Sequence, residues 1–131
     1  MPAKCTVVSR VVAKQGLVSS VCRGVDGIHP ELLSSSALMG LMEEACVKAM
    51  QEGIKDDQCS VGSITHLRHL APTPLHAAVV VTATFRMFDG EVYWFDVIAT
   101  DAAGPVASGS HARSVVERSV IEFRTERRRN T

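Results

Sequence analysis

The sequence predicts an α+β domain in which one curved antiparallel sheet wraps a single long central helix. Three observations point there: one helix-periodic apolar stripe between residues 34 and 53, several strand-like segments following it in close succession, and hairpin-type turns between those segments. With no second helical layer to pack against, the helix must be buried in the concave side of the sheet.

Residues 5–13, Cys-Thr-Val-Val-Ser-Arg-Val-Val-Ala, are rich in β-branched side chains and read as the first strand. Gly24 to Glu31 holds two glycines and a proline, a loop leading to the helix. Ser34, Ser35 and Ser36 are each competent N-caps, apolar residues recur at 38, 41, 42, 45, 46 and 49, and Gly53 is the natural stop. After a polar turn at 55–58, residues 59–70 form the next strand candidate. His76 to Phe88 alternates, with Ala77, Val79, Val81, Ala83, Phe85 and Met87 on one side. Asp89-Gly90 is a hairpin turn, and Glu91 to Thr100 continues with Val92, Trp94 and Ile98 opposite Tyr93, Phe95 and Val97. Asp101 to Pro105 turns the chain once more, Val106 to Val120 completes the sheet, and 124–131 reads as a solvated basic tail that is also a candidate phosphate-binding segment. One helix followed by many strands is the pattern of the hotdog fold. Both strand faces carry more apolar side chains than one helix can cover, so a homodimer is expected, with a tetramer of two dimers left open.

Composition narrows the partners. The 131 residues, 46% of them apolar, suit one domain over 1–131 with one core. Fourteen basic side chains balance 14 acidic ones, so neither nucleic acid nor a membrane surface is implied as a partner. No apolar run approaches the ~20 residues that span a bilayer. Residues 1–10 lack the apolar core of a signal peptide, which makes a cytoplasmic location the expectation. Cysteines 5, 22, 46 and 59 are scattered without a Cys-x-x-Cys pair, so no metal site or disulfide framework is expected, and Cys46 reads as a small buried hydrophobe. Phosphate-loop, dinucleotide and Gly-x-Ser-x-Gly signatures are absent from the sequence.

Glu43 is the most informative residue. A helix aims it about 100° from its neighbour Glu44. Glu44 has Lys48 one turn on, an ordinary solvated pair, whereas Glu43 leans over Met39, Cys46 and Val47. A carboxylate there either extends to water from the edge of the stripe or needs hydrogen-bond donors of the kind found around catalytic acids. Ser35 lies eight residues earlier, about 12 Å along the axis, too far for contact with Glu43; it is a cap or a contact for the far end of an elongated substrate. His66 and His69 are three apart and face opposite sides of a strand, which disfavours a shared metal. His69 stands where the strand yields to a proline-broken loop, a position from which a side chain reaches a cleft. A structural role is the competing reading for His69, as for His29, His76 and His111.

Three segments, Gly40-Leu-Met-Glu-Glu-Ala-Cys-Val-Lys-Ala-Met50, His69-Leu-Ala-Pro-Thr-Pro74 and Ser108-Gly-Ser-His-Ala-Arg113, together resemble the fluoroacetyl-CoA thioesterase family. The resemblance implies hydrolysis of an acyl-CoA by a glutamate, a histidine and a threonine, carried over to Glu43, His69 and Ser35, which keeps the hydroxyl. It implies substrate contacts at Gly62, Arg113 and His69, with CoA as part of the substrate and no separate cofactor. His29 stands where the fluoroacetate enzyme presents a lid phenylalanine, so a small or short-chain acyl group is expected in place of fluoroacetyl itself. Two other readings remain: a hotdog enoyl-CoA hydratase, faintly echoed by Asp26 and His29, and a non-catalytic acyl-CoA-binding domain.

Overall fold

Ser34 opens the helix: its Oγ accepts from the Ala37 N–H at 3.0 Å, satisfying one of the donors that a helix start leaves unpaired. The computed structural model describes residues 1–18 and 30–130. From this cap, helix α1 runs Ser35–Gln51 and buries Leu38, Met42, Ala45, Cys46 and Ala49 of the expected stripe, together with Met50, while Leu41 is only half-buried. Gly53 follows its end without a left-handed φ; a Cβ there would lie 2.7 Å from the backbone of Met1, so close chain passage is what requires glycine.

Strands β1 (Cys5–Val11), β2 (Gln58–His69), β3 (Ala78–Phe88), β4 (Tyr93–Asp101) and β5 (Gly104–Glu117) form one five-stranded antiparallel sheet in the order β1-β3-β4-β5-β2. Its inner face presents Val8, Val79, Val81, Ala83, Phe95, Val97, Ala99 and Val106 to α1. Each buried valine or phenylalanine among these contributes about 1.5–3 kcal/mol, and each alanine less. The outer face leaves Val7, Val11 and Ile98 more than half exposed.

The β3–β4 turn is held by Asp89, whose Oδ1 accepts from the N–H groups of Glu91 and Val92 and whose Oδ2 accepts from Trp94 Nε1, all at 2.9 Å. These donors hold its carboxyl below the usual range, and Gly90 supplies the φ of +98°. Asp101 has a parallel role in the next turn, accepting from the Ala103 N–H and, at 2.9 Å, from buried Thr73, which ties down the loop after β2.

Three bulges interrupt the ladders, leaving Ser63 unpaired on β2, Arg86 on β3 and Val106 on β5. The one at Arg86 ends the alternation of β3, so Met87 is exposed instead of continuing the inner row. The last strand stops at Glu117 instead of Val120, and a further helix, labelled α2, spans Arg118–Arg129. Ser119-Val-Ile resembles strand, but the segment lacks glycine and proline and carries an i, i+3 pair, Glu126–Arg129. Residues 124–129 continue this helix, and their side chains face solvent. No helix among the described residues is long and apolar enough to cross a membrane.

Candidate active site

Two contacts fix how β2 lies along α1: Glu43 Oε2 is 2.9 Å from where a Cβ on Gly62 would stand, and Ser35 Oγ is 2.8 Å from His69 Nδ1. The bulge at Ser63 decides which β2 side chains face the helix. Ser60 and Gly62 face it before the irregularity, and Thr65, Leu67 and His69 after it. Unbroken alternation from Ser60 would turn His66 inward and His69 out.

The Ser35–His69 pair opens onto a cleft of about 300 Å³ lined by Leu32, Leu70, Ala71 and Pro72. Its imidazole keeps Nε2 buried with no hydrogen-bond partner among the described residues. With Nδ1 held by the serine, Nε2 is the free end of the ring, able to donate or accept according to the tautomer. A larger hollow of about 510 Å³ beside Pro74, Ala77, Val80 and Thr100 offers Asp101 alone among charged groups and no imidazole or thiol, so size does not identify the site.

Glu43 Oε2 accepts from Arg113 Nη1 at 3.0 Å, with the glutamate side chain 53% exposed and the arginine 5%. The carboxylate therefore meets a fixed donor on one side and open space on the other. Glu44, by contrast, pairs with Lys48 at 3.3 Å and also with Arg10. Arg113 gives its other donors to Ser60, Nε to Oγ and Nη2 to the carbonyl, both at 2.9 Å. A further Nη1 bond reaches His111 Nε2 at 3.0 Å. His111 is 2% exposed; burial, and then the Arg113 charge, push its basicity below the ordinary value, with Glu43 opposing. Burial likewise pushes the Cys46 thiol up to about 12, so beneath Glu43 it is a neutral hydrophobe.

The residues singled out from sequence thus fall into two groups, Ser35 with His69 and Glu43 with Gly62 and Arg113. No hydrogen bond among the described residues joins the groups, in keeping with the ~12 Å that eight helical residues span. His29 lies outside the described residues, as do Asp26 and Cys22. Sequence reasoning passed over Ser60 and Thr65 and left His111 with a structural reading. A signal existed for His111: it stands two residues before Arg113 on one strand, hence on the same face. Among the described residues no three His, Cys, Asp or Glu side chains come together as a metal would require.

The family model described as fluoroacetyl-CoA-specific thioesterase matches residues 12–119. The chain belongs to that family. A fluoroacetyl-CoA thioesterase from Streptantibioticus cattleyicolor is 36% identical over 87 residues, 66% of this chain and 63% of the relative, so the match spans a little under two thirds of that relative's length. Among solved structures, the fluoroacetyl-CoA thioesterase FlK superposes with a TM-score of 0.87 at 28% identity, covering 100% of this chain and 97% of its own. A thioesterase superfamily member from Thermus thermophilus, 20% identical, gives a TM-score of 0.87 over 99% of this chain and 93% of its own, a likeness of fold. The hotdog arrangement expected from the sequence is therefore the observed one.

Proposed function

We propose that this family member is an acyl-CoA thioesterase that hydrolyses a small or short-chain acyl-CoA to the free acid and CoA. One observation carries the reading: a half-exposed carboxylate, Glu43, held by a buried arginine, shares a stretch of α1 and β2 with a Ser35–His69 pair whose Nε2 has no hydrogen-bond partner among the described residues. A thioester lying along α1 between these two ends would meet both. Glu43 either attacks the carbonyl carbon, forming a mixed anhydride as the thiolate leaves and water then cleaves the anhydride, or takes a proton from a water that attacks directly. Each route consumes one water and ends at acid plus thiol. His69 Nε2 serves the other pole, as a donor to the developing oxyanion or to the departing thiolate, and Ser35 sets the ring's orientation. Gly62 and Arg113 form the wall beside the acyl group. His29 is the residue expected to select the acyl group, and CoA enters only as part of the substrate, with no separate cofactor.

The working unit is a homodimer, with a tetramer of two dimers as a further assembly, acting in the cytoplasm. What supports pairing is β2 itself, a 12-residue strand at the edge of the sheet that carries exposed Ile64 and borders both halves of the site. Thiol release from a panel of acyl-CoAs tests the activity: wild type is expected to turn over small acyl groups, and Glu43→Gln to lose ~10²- to 10⁴-fold in kcat. Equal rates from both proteins would remove Glu43 from the reaction. Loss of enoyl absorbance without thiol would indicate a hydratase, and tight binding without turnover a silent binding domain.

A further inference from the structure

Arg113 is the one permanently charged side chain buried in the described chain, and its surroundings restrict the protonation of its neighbour. A guanidinium has donors and no acceptor. His111 Nε2, 3.0 Å from Arg113 Nη1, must therefore be the accepting nitrogen. The ring proton then sits on Nδ1, which donates to Thr65 Oγ1 at 2.7 Å. One tautomer of the neutral imidazole satisfies both contacts; a proton on Nε2 would set two N–H groups head to head and a second cation against Arg113.

Glu43 depends on the same nitrogen. Nη1 carries two N–H groups, one directed to Glu43 Oε2 and the other to His111. Ser60 holds the opposite edge of the guanidinium through Nε and Nη2. Without the His111 acceptor, a buried N–H of a charged group is left unmatched, and the guanidinium gains by turning toward the carboxylate or toward water.

We propose that His111 is a positioning residue for thioester hydrolysis: a neutral imidazole, accepting at Nε2 and anchored by Thr65 at Nδ1, it fixes Arg113 and thereby the aim of the Glu43 carboxylate. This rests on the role given to Glu43 above. The charged groups facing His111 are Arg113 on its own strand and Glu43 on α1, while β2 contributes the uncharged hydroxyl of Thr65. Burial, and then Arg113, favour the neutral ring, and Glu43 opposes them.

Two variants separate the acceptor from the ring's bulk. His111→Leu keeps an apolar side chain and removes the acceptor, whereas His111→Gln restores an acceptor oxygen near the Nε2 position. Because misplacing a catalytic group by about 1 Å can cost ~10²-fold, His111→Leu should lower kcat by about that factor with KM little changed, and His111→Gln should recover most of the loss. Nitrogen-15 spectra of the wild-type ring should show Nδ1 protonated and Nε2 bare at neutral pH. The carbon-13 chemical shift of the Glu43 carboxylate at neutral pH should move in His111→Leu and stay in place in His111→Gln. A protonated Nε2 in the wild type, wild-type kcat in His111→Leu, or equal losses in both variants would overturn the proposal. Should His111→Leu fail to fold, the wild-type spectra and His111→Gln decide. Should the wild type release no thiol from any acyl-CoA, the thioesterase reading fails by itself, and the cradle stands or falls on the two resonance measurements.

Discussion

Substituting Gly62 by alanine probes the Glu43 carboxylate without touching it. The new Cβ would lie 2.9 Å from Glu43 Oε2 and 3.4 Å from both Arg113 Nη1 and His111 Cε1, so the two latter contacts are tolerable and the first is about half an ångström too short. The offending atom is the far end of a flexible, half-exposed side chain, and the backbone of β2 has no reason to move. Glu43 yields instead. Relief therefore weakens one partly solvated ion pair, about 1 kcal/mol or less, which for a chain of this size lowers Tm by no more than ~4 °C. The kinetic effect is larger, because a displaced carboxylate loses alignment with the thioester: kcat/KM should fall on the order of 10- to 100-fold. Thermal melts and thiol-release kinetics on the same preparations measure both quantities. In a Glu43→Gln background the same alanine should have almost no further kinetic effect, since the group it displaces is already disabled. Wild-type kcat/KM in Gly62→Ala, or full additivity with Glu43→Gln, would refute the reasoning.

Acid should weaken the fold through His111. Its ring is held below the ordinary value of 6.5, so the unfolded chain takes up the proton first, and stability should decline as pH falls below about 6.5 until the lower folded-state value is reached. Chemical denaturation at pH 7.5 and pH 5.5 measures this, and His111→Gln should flatten the dependence. Alkylation by iodoacetamide should modify exposed Cys5 and spare Cys46, whose thiol is buried and raised to about 12; peptide mapping of the native protein reads the difference. Gly109→Ala should abolish folding, since its Cβ would fall 2.0 Å from the His66 carbonyl oxygen, backbone that cannot swing aside; a loss under about 1 kcal/mol would contradict the packing.

Features governed by local chemistry were readable from the chain. The helix stripe came through because 3.6-residue spacing and burial coincide at Leu38, Met42, Ala45, Cys46 and Ala49, and the turn at Asp89-Gly90 because both residues have the geometry it needs. The separate fates of Glu43 and Glu44 followed from helical angles. Partners brought by tertiary packing were invisible: Arg113 is 70 residues from Glu43, and Arg10 is 34 from Glu44. The C-terminal helix was hidden by β-branched residues at its start, and Val120, Ile121 and Phe123 are too few to form the sustained stripe that marks a core helix. His111 kept its structural reading although it shares a face with Arg113, because the sequence carries no mark of Thr65 and Glu43, which other elements bring against it.

The unpaired Ser63 makes the length of one strand a chemical variable. Because the irregularity absorbs that residue, excising it should straighten the ladder while leaving His69 pointed at Ser35, whereas smoothing the kink with every residue retained would trade His69 for His66. Which imidazole confronts the cleft is thus a question of odd or even counting, settled by a single amino acid that itself takes no part in the reaction.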